Sequence, residues 1–279
     1  MAQNLLLKNL KDIKNLKKAK GIKHFMTELI SNKLARAFLQ NKIIAPIPDK
    51  YTKNLKKADN FRRLCESKIN KPIVGFKAGG TAIPLLKKLK EKEPFYASVF
   101  KQNLIKNKKK VKINKFTLGI ELEVCFLVKK DFFTNKKKLT NKNIKKYITH
   151  IAPCLEVVGY RQRKKGIKSL GDLCSDFGGN IKFILGKKKK FKNIKVDNLK
   201  TNISNKKIKH SVNGNTKTVY INPINALRFV LNKIKKDKIN LNKNFYVFTG
   251  STVGVVPILG KGLYSGKIEK IGSVKTKII

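Results

Sequence analysis

Gly119-Ile120-Glu121-Leu122-Glu123-Val124-Cys125-Phe126-Leu127-Val128 is an apolar strand with two carboxylates planted in it. Side chains alternate across a strand, so Glu121 and Glu123 project from one face, roughly 6–7 Å apart. Ile120, Leu122, Val124, Phe126 and Val128 take the other face. Cys125 and Leu127 continue the glutamate face with apolar character, which a simply solvated face would not do. Two like charges this close are costly to bury unless a trapped proton, a basic partner or a metal ion neutralises them. A hard divalent cation fits best, because carboxylate oxygens suit Mg²⁺ or Mn²⁺ and leave coordination positions for further ligands, water or substrate.

A third carboxylate lies downstream in an equally apolar run, Ile151-Ala152-Pro153-Cys154-Leu155-Glu156-Val157-Val158-Gly159-Tyr160-Arg161. Upstream, Pro72-Ile73-Val74-Gly75-Phe76-Lys77-Ala78-Gly79-Gly80-Thr81 reads as a strand ending in a glycine turn. Its Lys77 sits among apolar and glycine residues, unlike the lysines of the charged faces. A buried lysine can move protons or hold a carboxylate, whereas a strand-edge lysine merely snorkels to water. Near the C-terminus, Phe245-Tyr246-Val247-Phe248-Thr249-Gly250-Ser251-Thr252 reads as a strand opening into a turn of small residues. Such residues let backbone approach a ligand, and Ser251 or Thr252 can donate to a substrate carboxylate.

Gly-x-Lys-x-Gly, then Glu-x-Glu in a strand, then Pro-x-x-Glu about thirty residues on with an arginine five positions later, resembles the fumarylacetoacetate hydrolase superfamily. Within it, the chain is most similar to the branch of 2-keto-4-pentenoate hydratases, 2-oxohepta-3-ene-1,7-dioate hydratases and 4-oxalocrotonate decarboxylases. The similarity runs from about residue 20 to the C-terminus. It implies an α+β fold: a mixed β-roll catalytic region, residues 71–279, behind a helical N-terminal region, residues 1–70. It also implies a homo-oligomer, and Mg²⁺ or Mn²⁺ held by Glu121, Glu123 and Glu156. Lys77 and Asp176 would move protons, and Arg161, Ser251 and Thr252 would orient a 2-oxo acid. Asp176 belongs to Ser175-Asp176-Phe177, which corresponds to the family's Ala-Asp-Asn segment with both neighbours changed. Its other reading is as an anchor for the Gly178-Gly179 turn.

The implied reaction is hydration of an enolised dienoate. Glu93-Pro94-Phe95-Tyr96-Ala97 departs from that pattern, since related hydratases carry an acidic residue and a glycine where this chain has Phe95 and Ala97, and related decarboxylases carry an apolar residue there. Decarboxylation is therefore one alternative. Hydrolysis of acylpyruvates or diketo acids is another, and it would call on a His-Glu pair, for which His24 and Glu28 are the candidates.

The chain's 279 residues, 41% hydrophobic, can bury a substantial core. A formal charge of +50 ordinarily points to nucleic acid or an anionic surface. Only six of the 66 basic residues are arginine, however (Arg36, Arg62, Arg63, Arg161, Arg163 and Arg228). Phosphate-gripping proteins usually recruit the arginine fork as well, and lysine rising with Asn and Ile is what AT-rich codons produce. The excess therefore reads as solvated faces, and a basic nucleic-acid-binding protein stands as the non-enzyme alternative. Cys65, Cys125, Cys154 and Cys174 lack metal or C-x-x-C spacing and read as buried small hydrophobes of a reducing compartment. No apolar run reaches the length of a membrane span or a signal-peptide core, so a cytoplasmic protein is expected.

Helical periodicity predicts a helix from Ile22 to about Gln40 behind a lysine-rich lead, and a second through Leu55–Leu64 capped by Thr52. A third is predicted after Asn222-Pro223. Residues 129–146, 162–170 and 187–195 read as basic connections. Asn213-Gly214 reads as a hairpin turn between Ile208–Val212 and Val219–Ile221.

Overall fold

A computed structural model describes residues 2–162, 167–192 and 194–279, with side chains from residue 21 onward. In chain order the described helices are α1 (Ala2–Gln40), α2 (Asp49–Thr52), α3 (Leu55–Ser67), α4 (Ile83–Lys88), α5 (Leu170–Ser175) and α6 (Pro223–Lys236). The strands are β1 (Ile73–Gly79), β2 (Phe95–Phe100), β3 (Leu104–Lys106), β4 (Lys110–Val111), β5 (Thr117–Val128), β6 (Ile148–Gly159) and β7 (Asn180–Leu185). After them come β8 (Lys189–Lys190), β9 (Lys200–Asn205), β10 (His210–Asn215), β11 (Phe245–Ser251), β12 (Val256–Pro257), β13 (Gly262–Ile268) and β14 (Gly272–Ile278).

The long sheet runs β2-β1-β11-β5-β6-β7-β3, with β12 on β5 and β8 on β6; a five-stranded sheet runs β10-β9-β13-β14-β4. Pairing is mixed: β1 lies parallel to β11 and β3 to β7, while β5 is antiparallel to both neighbours, β11 and β6. From Ile120 to Val128 the even-numbered side chains of β5 face the main core, where Leu122 and Leu155 pack so tightly on Gly266 of the small sheet that a Cβ there would lie 2.7 Å from Leu122 Cδ1. Helix α6 closes the same core with Leu227, Val230, Leu231 and Ile234, a stripe at helical spacing. The odd-numbered face of β5 carries the glutamates. A second cluster joins α1 and α3 to the strands through Leu34, Phe38, Phe61 and Phe100.

Several local expectations are corrected. Helix α3 is capped by Asn54, which accepts from the Lys57 N–H, while Thr52 ends the preceding short helix. The predicted Asn213-Gly214 turn lies inside β10; the hairpin turns instead at 206–209, with Lys209 left-handed. Gly214 is required there by close approach, since a Cβ would meet the Thr252 carbonyl oxygen at 2.2 Å. Residues 129–146 are more than a solvated connection, because Phe132 and Ile144, each in a 3₁₀ turn, and Leu139 between the turns are buried in the core. The connection at 162–170 contains residues 163–166, and that at 187–195 contains residue 193; these, like Met1, lie outside the described residues. All four cysteines are buried and free. No helix among the described residues is long and apolar enough to cross a membrane.

Candidate metal centre and active site

Glu121 on β5 lies directly across from Glu156 on β6, and Glu123 lies across from Cys154. The antiparallel ladder thus brings three carboxylates onto one face, with one oxygen of each within 4.8 Å of the others. Glu123 and Glu156 are fully buried, and Glu121 is half-buried at the wall of a cavity. Glu123 Oε2 accepts from the Gly250 N–H at 3.0 Å, while Glu123 Oε1 is buried without a partner.

Lys77 comes from β1, on the far side of β11 from β5. Its Nζ donates to Glu156 Oε1 at 2.6 Å and Oε2 at 2.8 Å, and to the Gly178 carbonyl at 3.2 Å. Burial alone would lower the lysine's pKa, but Glu156, Glu121 and Glu123 together outweigh it and hold the ammonium form above its ordinary range. Burial pushes each carboxyl up, with neighbouring carboxylates adding to it; Glu121 rises to about 7.

These residues fit a divalent cation on their own terms. With all three carboxylates ionised, one ammonium would leave an excess of two negative charges in a desolvated place, and a buried carboxylate oxygen has no donor. The oxygen-only donor set is the hard-ion kind, suited to Mg²⁺ or Mn²⁺.

The cavity beside the cluster has a volume of about 410 Å³, and its lining includes Lys77, Glu121, Phe95, Tyr160, Gly178 and Ser251. Glycines shape it: a Cβ on Gly79 would lie 2.3 Å from the Phe95 ring, and one on Gly250, at φ +99°, would lie 2.1 Å from Thr81 Oγ1.

Other expected site residues stand elsewhere. Asp176 makes no hydrogen bond to Lys77; its carboxylate accepts from the Arg161 N–H at 2.7 Å and from Arg161 Nη1 at 3.0 Å. Arg161 also donates to the Asn180 carbonyl and lies 4.8 Å from the Phe38 ring centroid. Both side chains are fully buried, and neither lines the cavity. They clamp the end of β6 to the segment after α5, whose Ser169 capping box was not foreseen. Ser251 and Thr252 do line the cavity, but their hydroxyls donate to the carbonyls of Gly254 and Leu122. His24 is exposed, and Glu28 pairs with Lys68 at 2.6 Å, so no His24–Glu28 dyad forms.

Sequence reasoning did not find the Gly250 N–H that orients Glu123, the Gly178 carbonyl that holds Lys77, or the cavity wall contributed by Phe95 and Asn213-Gly214. The Thr249-Gly250-Ser251 turn was the available signal for the first. The other two depend on pairing across the fold.

No protein-family model and no curated protein matches the sequence. Solved structures do match in shape. A 4-oxalocrotonate decarboxylase from Pseudomonas putida G7, complexed with magnesium and adipate, superposes with a TM-score of 0.78 at 16% identity, covering 92% of this chain and 98% of that one. The same enzyme complexed with calcium and acetate superposes equally well. A 5-carboxymethyl-2-hydroxymuconate delta-isomerase from Mycobacterium smegmatis gives a TM-score of 0.52 at 13% identity, over 75% of this chain and 80% of that one. A 2-hydroxyhepta-2,4-diene-1,7-dioate isomerase from Mycobacterium marinum gives 0.51 at 13%, over 75% and 76%. The chain has the α+β fold of the fumarylacetoacetate hydrolase superfamily, in the form also adopted by the 4-oxalocrotonate decarboxylase.

Proposed function

We propose that this protein is a metal-dependent lyase of the fumarylacetoacetate hydrolase superfamily, acting on 2-oxo acids through their enol forms and hydrating a 2-hydroxydienoate. The observation that carries the proposal is the convergence of Glu121, Glu123 and Glu156 with Lys77 at the inner end of a cavity. Mg²⁺ or Mn²⁺ held by the three carboxylates would supply Lewis-acid polarisation of a 2-oxo group.

The protein's own groups do the rest. Lys77, kept as an ammonium by its carboxylate neighbours, serves as proton donor to the substrate or anchors its carboxylate. The Gly250 N–H fixes one oxygen of Glu123 and leaves the other turned to the cluster. Arg161 and Asp176 act as positioning residues: their buried pair holds the segment whose Gly178 carbonyl steadies Lys77. Ser251 and Thr252 fix the turn that presents Gly250. The glycine-lined walls bring backbone close to a flat, unsaturated substrate.

Decarboxylation is the second reading, favoured by one observation. Phe95 and Ala97 are buried and apolar, so the position that carries an acidic residue in related hydratases offers no acid here, and Glu93 two residues earlier is paired with Lys233. Hydrolysis is less well supported, because Glu28 is taken by Lys68. The active unit is proposed to be a homo-oligomer. The test is incubation of the protein with Mg²⁺ and a panel of 2-oxo-dienoates, followed by mass analysis of products. Addition of water to the substrate is the expected result. Loss of carbon dioxide would move the assignment to decarboxylation, and no turnover of any member would overturn the enzymatic reading.

A further inference from the structure

The cavity has two unlike ends. Its inner end holds Glu121 and Lys77, and its outer half is walled by Leu85, Leu118, Ile167, Leu173, Val253 and Val255. Three of these are unusually bare for large aliphatic side chains: Leu118 is 54%, Ile167 40% and Val255 51% exposed. They are brought together by the fold. The pairing of β5 with β6 is irregular between Thr117 and Gly119, at Leu118, and β12 brings Val255 against the same point, 2.7 Å from where a Gly119 Cβ would stand. Among the described residues that line the cavity Lys77 is the one cation, and both oxygens of Glu156 already hold it.

We infer that the site takes 2-oxo acids whose far end is an uncharged hydrocarbon and discriminates against 2-oxo dicarboxylates, with Leu118 and Val255 as specificity determinants. This rests on the reading of the inner end as a 2-oxo-acid site. Each methylene laid on the outer wall removes apolar surface from water on both partners. A terminal carboxylate in the same place loses hydration and, among the described residues, meets no second cation, and the neutral donors of the lining, Tyr160 and Asn213 among them, compensate a charge less well than a cation does. The chain's overall positive field acts in the opposite sense, since it favours the more highly charged ligand. It is screened within about 8 Å at physiological ionic strength, so a short-range discrimination survives it.

The test uses the full chain loaded with Mn²⁺ at physiological salt, and two probes of equal chain length, 2-oxohexanoate and 2-oxoadipate, measured by calorimetry. Tighter binding of 2-oxohexanoate, by about tenfold or more, is expected. Affinity should also rise about fourfold per CH₂ from 2-oxobutanoate to 2-oxohexanoate. Val255→Lys and Leu118→Lys alter exposed positions outside the core, and each should raise affinity for 2-oxoadipate while lowering it for 2-oxohexanoate. Equal or tighter binding of 2-oxoadipate by the natural protein would overturn the inference and leave the 2-oxo-acid site standing. If Mn²⁺ binds and neither acid does, both readings fall together.

Discussion

Glu123 is the carboxylate whose loss should be felt most cleanly, because it is buried, is fixed by the Gly250 N–H on one side and is open on the other. Glu123→Ala is expected to weaken Mn²⁺ binding by about 100-fold or more, since even residues behind a metal ligand are worth 10–100-fold. Circular dichroism should show the fold retained; unchanged Mn²⁺ affinity by calorimetry would rule out the triad as the metal site. The protonation of the cluster sets a pH dependence. With no metal bound, Glu121 holds its proton up to about 7 in the folded chain. The unfolded chain releases that proton near the ordinary carboxyl value, so this group destabilises the metal-free fold progressively as pH rises from about 4.5 towards 7. Mn²⁺ competes with the same proton. The rise in melting temperature on adding Mn²⁺ should therefore be larger at pH 8 than at pH 6, and a scan at the two values checks the sign. Lys77→Met keeps the stem and removes the charge. A catalytic role predicts turnover down about 100-fold or more with Mn²⁺ binding retained; near-normal turnover would reduce Lys77 to a structural counter-ion of Glu156.

At the scale of elements, the site depends on how closely backbones approach. A Cβ on Gly171 of α5 would lie 1.9 Å from the Thr52 carbonyl oxygen at the end of α2, and backbone cannot yield as a flexible side chain does. Gly171→Ala is expected to cost about 1–3 kcal/mol, as overpacking does. For a chain of this size that lowers the melting temperature by roughly 2–10 °C. Gly21→Ala lies in α1 with nothing within 4 Å of the new Cβ. It should leave stability unchanged or raise it by up to about 1 kcal/mol, because alanine is the better helix former. The opposite signs of the two variants, read in one thermal melt, check that contact and not glycine content governs stability. The segment after α5 is held in its turn by α1: the Phe38 ring centroid is 4.6 Å from that of Phe177, and the Arg161 guanidinium, paired with Asp176, lies over the Phe38 ring. The helical N-terminal region thereby bears on the turn that supplies Gly178 to Lys77.

Over the whole molecule, the charge of +50 dominates what an anion meets first. Most of it is lysine, and among the described residues the buried cations, Arg62, Lys77 and Arg161, are all held in ion pairs. A surface field of this kind predicts weak, sequence-independent association with RNA that fades steeply with salt. A fluorescence titration at rising ionic strength checks this; tight, salt-resistant binding to one RNA would point to a dedicated interface and reopen the non-enzyme reading.

How much was legible in advance follows from the range over which each determinant acts. Alternation along β5 puts Glu121 and Glu123 on one face whatever surrounds the strand, and the apolar run around Glu156 marks that residue as buried, because both are properties of a few consecutive residues. The cap at Asn222 and the stripe of α6 are local in the same sense. The partner of Asp176 is not: Lys77 and Arg161 were both available cations, and only the docking of α5 beside the end of β6 gives it to Arg161. Asn213-Gly214 likewise has the local chemistry of a turn, yet β9 pairs straight past it and the approach of the Thr252 carbonyl makes Gly214 a packing residue. The amino-acid sequence by itself thus determined the alternation of β5, the apolar setting of Glu156 and the oxygen-only character of the donor set. The tertiary structure alone decided which cation faces which carboxylate and which aliphatic side chains line the cavity, because those depend on register between strands far apart in the chain, which short-range periodicity does not encode.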